Sequence, residues 1–379
     1  MAVISHPEFY PPTLNAIECL ASEYNQIIII CRNVLPSKWQ YPTNVKIITI
    51  GKYINIKSSE KKSVLYKTLF FLKFTLNLFL ITIRNKPKVI LLYDVIPLFS
   101  FSLIRPFIFS PYLLWYHNHD VSELDKNKKI SIGSMAAQNQ SKMFPYLDVF
   151  SLPALDRMKY FPMDKLKGRF FYIPNFPSKN FYSSFQNKGF NNLDPIRIIY
   201  QGAIGVGHGI ENIMEIMDNK IHNKYIQLIL KGFISDEYKS IIIKKAIQLK
   251  INDRIEFIGI SAYQDVPKLT TTCHIGIGIH TKNDTMNKTL GTASNKLYEY
   301  AACGLPILYY DNEHFKNHLG KYEWAFATDL TQESLKGCIE TIISNYDNFS
   351  KKAIEDFNEY LNFENYFSQV KYKLVNAAK

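Results

Sequence analysis

Apolar runs of strand length alternate with amphipathic runs of helical length along nearly the whole chain. In the first half the short runs at 3–5, 26–31, 45–50, 89–93, 113–116, 147–152 and 170–173 read as strands, and in the second half so do those at 196–200, 226–230, 255–258, 275–279 and 307–310. Apolar residues recur at helical spacing over 16–23, 64–83, 210–217, 237–248 and 297–302, and again over 335–344 and 350–360. Residues 6–15, HPEFYPPTLN, carry no period and read as a loop. Strands alternating with helices build parallel sheets covered by helices, so the pattern predicts an α/β protein. Asn, Ser, Lys and Phe without a period fill 179–194, which reads as a linker.

The most informative stretch is 273–311. Its strand opens into a polar loop, 280–292, and Ser294 then offers a hydroxyl to the first backbone N–H groups of a helix that carries Leu297, Tyr298, Ala301 and Ala302 at helical spacing. Gly304 stops that helix, Pro306 prevents its resumption, and a second strand follows. In such a β-loop-α-β unit the loop and helix start lie at the carboxyl edge of the sheet, where ligands bind. Asn295, Lys296 and Glu299 share one face near the helix's positive end. A lysine there suits a phosphate, and a carboxylate one turn on suits a pair of sugar hydroxyls. By spacing alone the same residues also fit a solvated Lys/Glu pair.

Two other places carry candidate chemistry. Gly202, Gly205, Gly207 and Gly209, around His208, join the 196–200 strand to a helix, and glycines let a backbone approach a phosphate closely. Ile210 breaks the G-x-G-x-x-G spacing, and a plain tight turn is the other reading. His117-Asn118-His119-Asp120 ends the 113–116 strand. Two histidines two apart could ligate a metal, but no H-E-x-x-H helix or third ligand accompanies them, so no metal is expected.

At 379 residues the chain exceeds the usual single-core size, so two domains are expected, and 47% hydrophobic with 21% charged residues is a globular composition. Five cysteines, with no C-x-x-C pair, read as reduced thiols of a cytoplasmic protein. The first residues lack the basic and apolar regions of a signal peptide. The net charge of +12 is uneven: residues 1–178 hold 22 Lys+Arg against 11 Asp+Glu, the remainder 23 against 22. Residues 51–90 hold nine basic residues and one acidic one, and this window contains the apolar run 64–83. Basic and apolar character together suit an anionic membrane surface better than a nucleic acid. Lys67, Lys73 and Asn77 interrupt the run, so a docked or buried helix is expected rather than a spanning one.

The string Ser294-Asn295-Lys296-Leu297-Tyr298-Glu299-Tyr300-Ala301-Ala302-Cys303-Gly304-Leu305-Pro306 resembles the nucleotide-sugar site of glycosyltransferase family 4 and its relatives with the GT-B fold. That resemblance implies two Rossmann-like α/β domains with parallel sheets facing across a cleft: an acceptor domain at 1–178, rejoined by 361–379, and a donor domain at 195–360. It also implies metal-free, retaining transfer of a sugar from a nucleotide sugar, which is a substrate and not a cofactor, to a glycan or lipid-linked acceptor in cell-surface polysaccharide synthesis. Glu299 matches the glutamate that holds the donor ribose, and the helix would sit over the diphosphate. Gly202, Gly205, Gly207, His208, Lys231, Thr292, Asn295 and Lys296 would complete donor binding. His119 with Asp120 matches the family's histidine facing the transferred sugar or its acceptor, and His117 is the alternative. The chain departs from the pattern at Ser294 for a proline, at Gly291 for a glutamate, and at Ala203 and His208 for the Arg and Lys that bind the diphosphate. Phe176 and Thr13-Leu14 likewise replace glycines. A nucleotide-sugar epimerase on the same fold and an inactive membrane-docked binding protein are the other two readings.

Overall fold

A computed structural model describes residues 1–34, 38–55, 58, 61–121, 131–186 and 194–378. The chain divides into two units, Met1–Pro174 with Glu364–Lys379, and Asn175–Phe363. The segment read as a linker begins inside the second unit with a helix, Lys179–Tyr182, and a turn, Ser183–Phe185; its residues 187–193 lie outside the described residues.

The first unit has strands β1 (Ile27–Arg32), β2 (Val45–Ile50), β3 (Val89–Tyr93), β4 (Leu113–His117), β5 (Val149–Leu152) and β6 (Arg169–Tyr172). β1 pairs with β2, and β3 to β6 pair in sequence order, every pair parallel. The expected strand at 3–5 is only a bridge at Ala2, which lies between Ile30 of β1 and Leu92 of β3 and links the two ladders. The order of the strands therefore reverses beside the chain's first residues, between β1 and β3. Phe74, Leu78, Ile90, Leu92, Phe101 and Phe150 are among the core residues.

Residues 6–15 are not the expected loop. A helix begins at Pro11 and runs to Ala21, with prolines at its first two positions. Helix-starting N–H groups have no intrahelical acceptor, so prolines lose nothing there and their fixed φ suits the turn. The sequence pattern missed this because Thr13, Leu14 and Asn15 are all buried, leaving no polar face to alternate with an apolar one. The helix over Val64–Asn85 is capped by Ser63, which accepts from the Tyr66 N–H at 3.3 Å. A helix at Ile132–Met143, closed by a Ser131/Ser134 capping box, has too few apolar positions to have shown a period.

The second unit holds β7 (Ile196–Gln201), β8 (Ile226–Lys231), β9 (Ile255–Gly259), β10 (Ile275–Gly278), β11 (Ile307–Tyr310) and β12 (Ala325–Thr328). They form one sheet in the order β12-β11-β10-β7-β8-β9, all neighbours parallel. The chain winds outward one way from β7 through β9 and the other way from β10 through β12. The reversal lies between β7 and β10, and at such a reversal the loops part and leave a crevice at the carboxyl edge. The helix Asn295–Ala302 packs over β10, and a side chain at Gly276 would start 2.3 Å from the Tyr300 ring, so only glycine fits beneath it. The Tyr300 hydroxyl accepts from the Gln201 N–H at 2.9 Å and fixes that helix to β7.

Candidate functional site

Each unit gathers polar groups at its own strand reversal. In the second unit the centre is Glu299, 6% exposed. Its Oε2 accepts from Gln201 Nε2 at 2.6 Å, and Gln201 Oε1 accepts from Thr270 Oγ1 at 2.9 Å. Burial pushes the Glu299 carboxyl up to about 7, against the downward pull of Lys231, Tyr263, Gln201 and Tyr182. Lys231, at the end of β8 and buried, is itself lowered by burial, while Glu299 and Asp265 hold its charge in place.

Lys296 leaves the same helix in another direction. Its Nζ donates to the Tyr200 hydroxyl at 2.6 Å and stands 4.1 Å from that ring's centroid. Burial lowers the ammonium to about 7, with Glu299 opposing. Among the described residues Lys296 and Glu299 form no ion pair, so the solvated Lys/Glu pair that spacing allowed is not what the fold makes of them. Ser294 makes no capping hydrogen bond, so the first N–H groups of the helix have no side-chain cap from it. Thr292 accepts on its carbonyl from the Asn175 N–H at 2.9 Å, and Asn175 Nδ2 donates to the Ala293 carbonyl at 2.8 Å, so Asn175 pins the loop before the helix. The Asn295 Oδ1 is buried with no hydrogen-bond partner.

The glycine turn after β7 lies beside Lys296. Gly202 sits at φ +120°, and a side chain there would start 3.8 Å from Lys296 Nζ. Gly232, after β8, is packed so closely on the Gly202 carbonyl that no side chain could be placed on it. Gly205 donates its N–H to His208 Nδ1 at 3.2 Å, and Gly207 accepts on its carbonyl from the Thr281 N–H at 2.9 Å. The His208 ring stacks on Tyr200, 4.9 Å between centroids, and meets His280 edge-on at 5.0 Å.

In the first unit His119 is held at every polar atom. Asp94, directly after β3, accepts from the His119 N–H at 2.7 Å and lies 3.1 Å from its Nδ1. A carboxylate only accepts, so Nδ1 carries the proton, and Nε2, 3.1 Å from Thr13 Oγ1, accepts from that hydroxyl. Tyr10 and Tyr93 stack on opposite flanks of the ring, at 4.4 and 4.9 Å. Asp94 holds φ at 65°, a sparse region for any residue but glycine, while its N–H donates to the His117 carbonyl at 2.9 Å. His117 is buried, its Nδ1 2.8 Å from Ser151 Oγ, which also accepts from Trp115 Nε1 at 2.8 Å. Burial, with His119 and Arg157 adding to it, keeps His117 uncharged. Asp120 is exposed and pairs with the buried Arg157 at 3.8 Å; Arg157 also donates to the His119 carbonyl.

The structure thus gathers Glu299, Lys231, Lys296, Gly202 and His208 at one edge, and His117, His119 and Asp120 at another. Sequence reasoning did not name Gln201, Thr270, Tyr263, Asp94, Arg157, Tyr10 or Tyr93. Gln201 and Asp94 had a usable signal, since each ends or follows a strand at its carboxyl edge; Arg157, on a turn after β5, had none.

Residues 183–359 match the family model described as glycosyl transferases group 1. Sucrose-phosphate synthase from Thermosynechococcus elongatus is similar over 100% of this chain and 98% of its own, with a TM-score of 0.72 at 14% identity. HepE from Anabaena, in complex with UDP-glucose, is similar over 99% and 98%, with a TM-score of 0.65 at 13% identity. WaaG, a glycosyltransferase involved in lipopolysaccharide biosynthesis, is similar over 98% of both chains, with a TM-score of 0.62 at 11% identity. No curated protein matches the chain in sequence. Residues 183–359 thus carry the match to glycosyl transferases group 1, and the whole chain shares the GT-B fold of these solved structures.

Proposed function

We propose that this glycosyltransferase moves a sugar from a nucleotide-diphosphate donor to a glycan or lipid-linked acceptor of a cell-surface polysaccharide, at the cytoplasmic face of a membrane. One observation carries the donor half: a buried carboxylate, Glu299, bonded by Gln201 and flanked by Lys231 at the strand reversal. Retention and independence of a metal rest on the resemblance to glycosyltransferase family 4. The complex of HepE with UDP-glucose and the part WaaG plays in lipopolysaccharide biosynthesis support a nucleotide sugar and a glycan acceptor.

In this reading Glu299 accepts from the ribose hydroxyls. As the bond to the sugar breaks, negative charge grows on the leaving diphosphate, and the Lys296 ammonium, the uncapped N–H groups at the start of Asn295–Ala302 and the backbone after β7 stabilise it. The acceptor hydroxyl gives up its proton late, to the departing phosphate. His119, its tautomer set by Asp94, exchanges the Thr13 hydroxyl on its Nε2 for a hydroxyl of the sugar or acceptor. Calorimetry with UDP-, GDP- and ADP-sugars, with and without candidate acceptors, tests this. Binding of one donor and its turnover only with an acceptor is expected; conversion of donor without acceptor would make the chain an epimerase, and no binding at all would overturn the reading.

The membrane half rests on the helix Val64–Asn85, which is long and apolar enough to cross a membrane. Phe71, Phe74 and Leu78 bury one face in the first unit. Leu65, Leu69, Leu72, Leu76, Leu80 and Ile83 are exposed along the opposite face, and the exposed Phe107 lies with its ring 6.4 Å from that of Phe79 on the same helix. Lys73 and Arg84 border that stripe at helical spacing. A helix with one face in a core and the other apolar and edged with cations lies in a membrane surface instead of crossing it. In liposome flotation the protein should bind anionic vesicles, weaken with salt, and weaken further when Lys61, Lys62, Lys67 and Lys73 become Gln, each basic residue contributing about 1 kcal/mol. Equal recovery on neutral and anionic vesicles would remove the claim.

A further inference from the structure

We propose that His280 recognises the donor: its Nε2 meets the diphosphate of the nucleotide sugar, and with His208 it takes the place of the Arg and Lys absent from positions 203 and 208. The inference rests on the donor reading of the Glu299 edge. His280 follows β10 at the point where the strand order reverses. Its ring meets His208 edge-on at 5.0 Å, His208 stacks on Tyr200, and Tyr200 accepts from Lys296, so the three rings and the ammonium form one continuous wall. Phe315 closes the far flank at 6.2 Å. His280 is 9% exposed, yet its Nε2 has no hydrogen-bond partner. A buried polar atom left unpaired costs free energy, and proteins keep few such atoms without a ligand or water to meet them.

The chemistry of the wall selects the ligand. The Gly205 N–H donates to His208 Nδ1, so that nitrogen is the acceptor and Nε2–H is the donor that the ring has left to offer. Lys296 and the uncapped helix start add further donors. Donors converging at a helix start suit phosphate oxygens. Burial first, then the charges of Lys296 and Lys282, hold His208 down to about 3, and burial, Lys296 and His208 keep His280 neutral as well. In this proposal the diphosphate is met by the His208 Nε2–H and by His280 in the tautomer with its proton on Nε2, in place of two fixed cations, with Lys296 supplying charge.

Isothermal titration of the wild type with UDP, GDP and ADP identifies the nucleotide. That diphosphate and its nucleoside are then titrated into His280→Leu and His280→Gln. His280→Leu should lose about tenfold or more in affinity for the diphosphate and nothing for the nucleoside, whereas Gln, which keeps an N–H donor, should retain most of it. Without ligand, His280→Leu should melt no lower than the wild type, because the unpaired nitrogen is gone. Unchanged diphosphate affinity in His280→Leu, or a parallel fall for the nucleoside, overturns the inference. If His280→Leu does not fold, His280→Phe, which keeps a flat ring without an N–H donor, replaces it with the same expected and overturning results. Failure of all three diphosphates to bind the wild type would bring down the donor reading and this inference together. Weakening by Glu299→Ala with no effect of His280→Leu would bring down this inference alone.

Discussion

His119 in the first unit and Glu299 in the second both stand at the carboxyl edge of a parallel sheet where the strand order reverses, yet the protein completes their surroundings to different degrees. Both ring nitrogens and the backbone N–H of His119 are paired, and two tyrosines hold the ring flat between them. Around Glu299 the inventory stays open: Asn295 Oδ1 and His280 Nε2 are buried without partners, the helix start is uncapped, and Glu299 and Lys296 are each shifted to about 7. A closed arrangement fixes the orientation and tautomer of one group before substrate arrives. An open one carries polar groups whose partners come with a ligand, and it costs stability until then.

The largest expected effect breaks the closed side. His119→Ala should lower turnover by roughly 10²-fold or more while donor affinity stays near the wild-type value, because the residue belongs to the other unit from Glu299. His117→Ala, which removes a ring hydrogen-bonded to Ser151, is the control. Steady-state kinetics and donor titration on both variants decide it. If His117→Ala is the more damaged, the role moves to His117; if neither loses turnover, the first-unit edge is not part of the reaction.

Next comes the open side. Glu299→Ala should weaken nucleotide-sugar binding by about 1–3 kcal/mol, since ribose hydroxyls lose a charged acceptor. It should not unfold the protein, because a buried carboxyl held near pH 7 contributes little to folding and its removal spares that cost. Calorimetry alongside a melting curve separates the two quantities. Unchanged affinity, or a variant that is no longer folded, would remove Glu299 from the site.

This contrast also marks how far the sequence could be read. The open side was legible because its groups are neighbours in sequence: Asn295, Lys296 and Glu299 lie within one turn and a half of a helix whose stop signals, Gly304 and Pro306, are local. The closed side was legible only at its centre. His119 stood out at a strand end, but Asp94 is 25 residues away, Thr13 is 106 away and Arg157 is 38 away, and the parallel pairing of β4 with β3 and with β5, together with the bridge at Ala2, brings these groups together. Thr13 shows the limit well. In sequence it is a missing glycine, and in the fold its hydroxyl is the partner of His119 Nε2. The start of its helix was missed for the same reason, since burial on all sides erased the period that sequence analysis uses.

The smallest effect concerns Lys296 and is read through pH. Burial lowers its ammonium from an ordinary 10.5 to about 7, so between these values the unfolded chain binds a proton that the folded chain does not. Stability from this group therefore rises with pH across that window and is at its lowest below pH 7. Glu299, raised from an ordinary 4.5 to about 7, acts in the other window, where stability falls as pH climbs from 4.5. Lys296→Met deletes the first dependence alone. Relative to wild type, its melting temperature should be most favourable near pH 7 and lose that advantage toward pH 10, by about 2–4 °C for each kcal/mol involved. The variant also loses the hydrogen bond to Tyr200, which shifts the whole curve, so the slope of the difference carries the test and the offset does not. A difference that stays flat from pH 7 to pH 10 would mean that Lys296 keeps an ordinary pKa. The open side would then be less costly before its ligand arrives than the contrast with His119 requires.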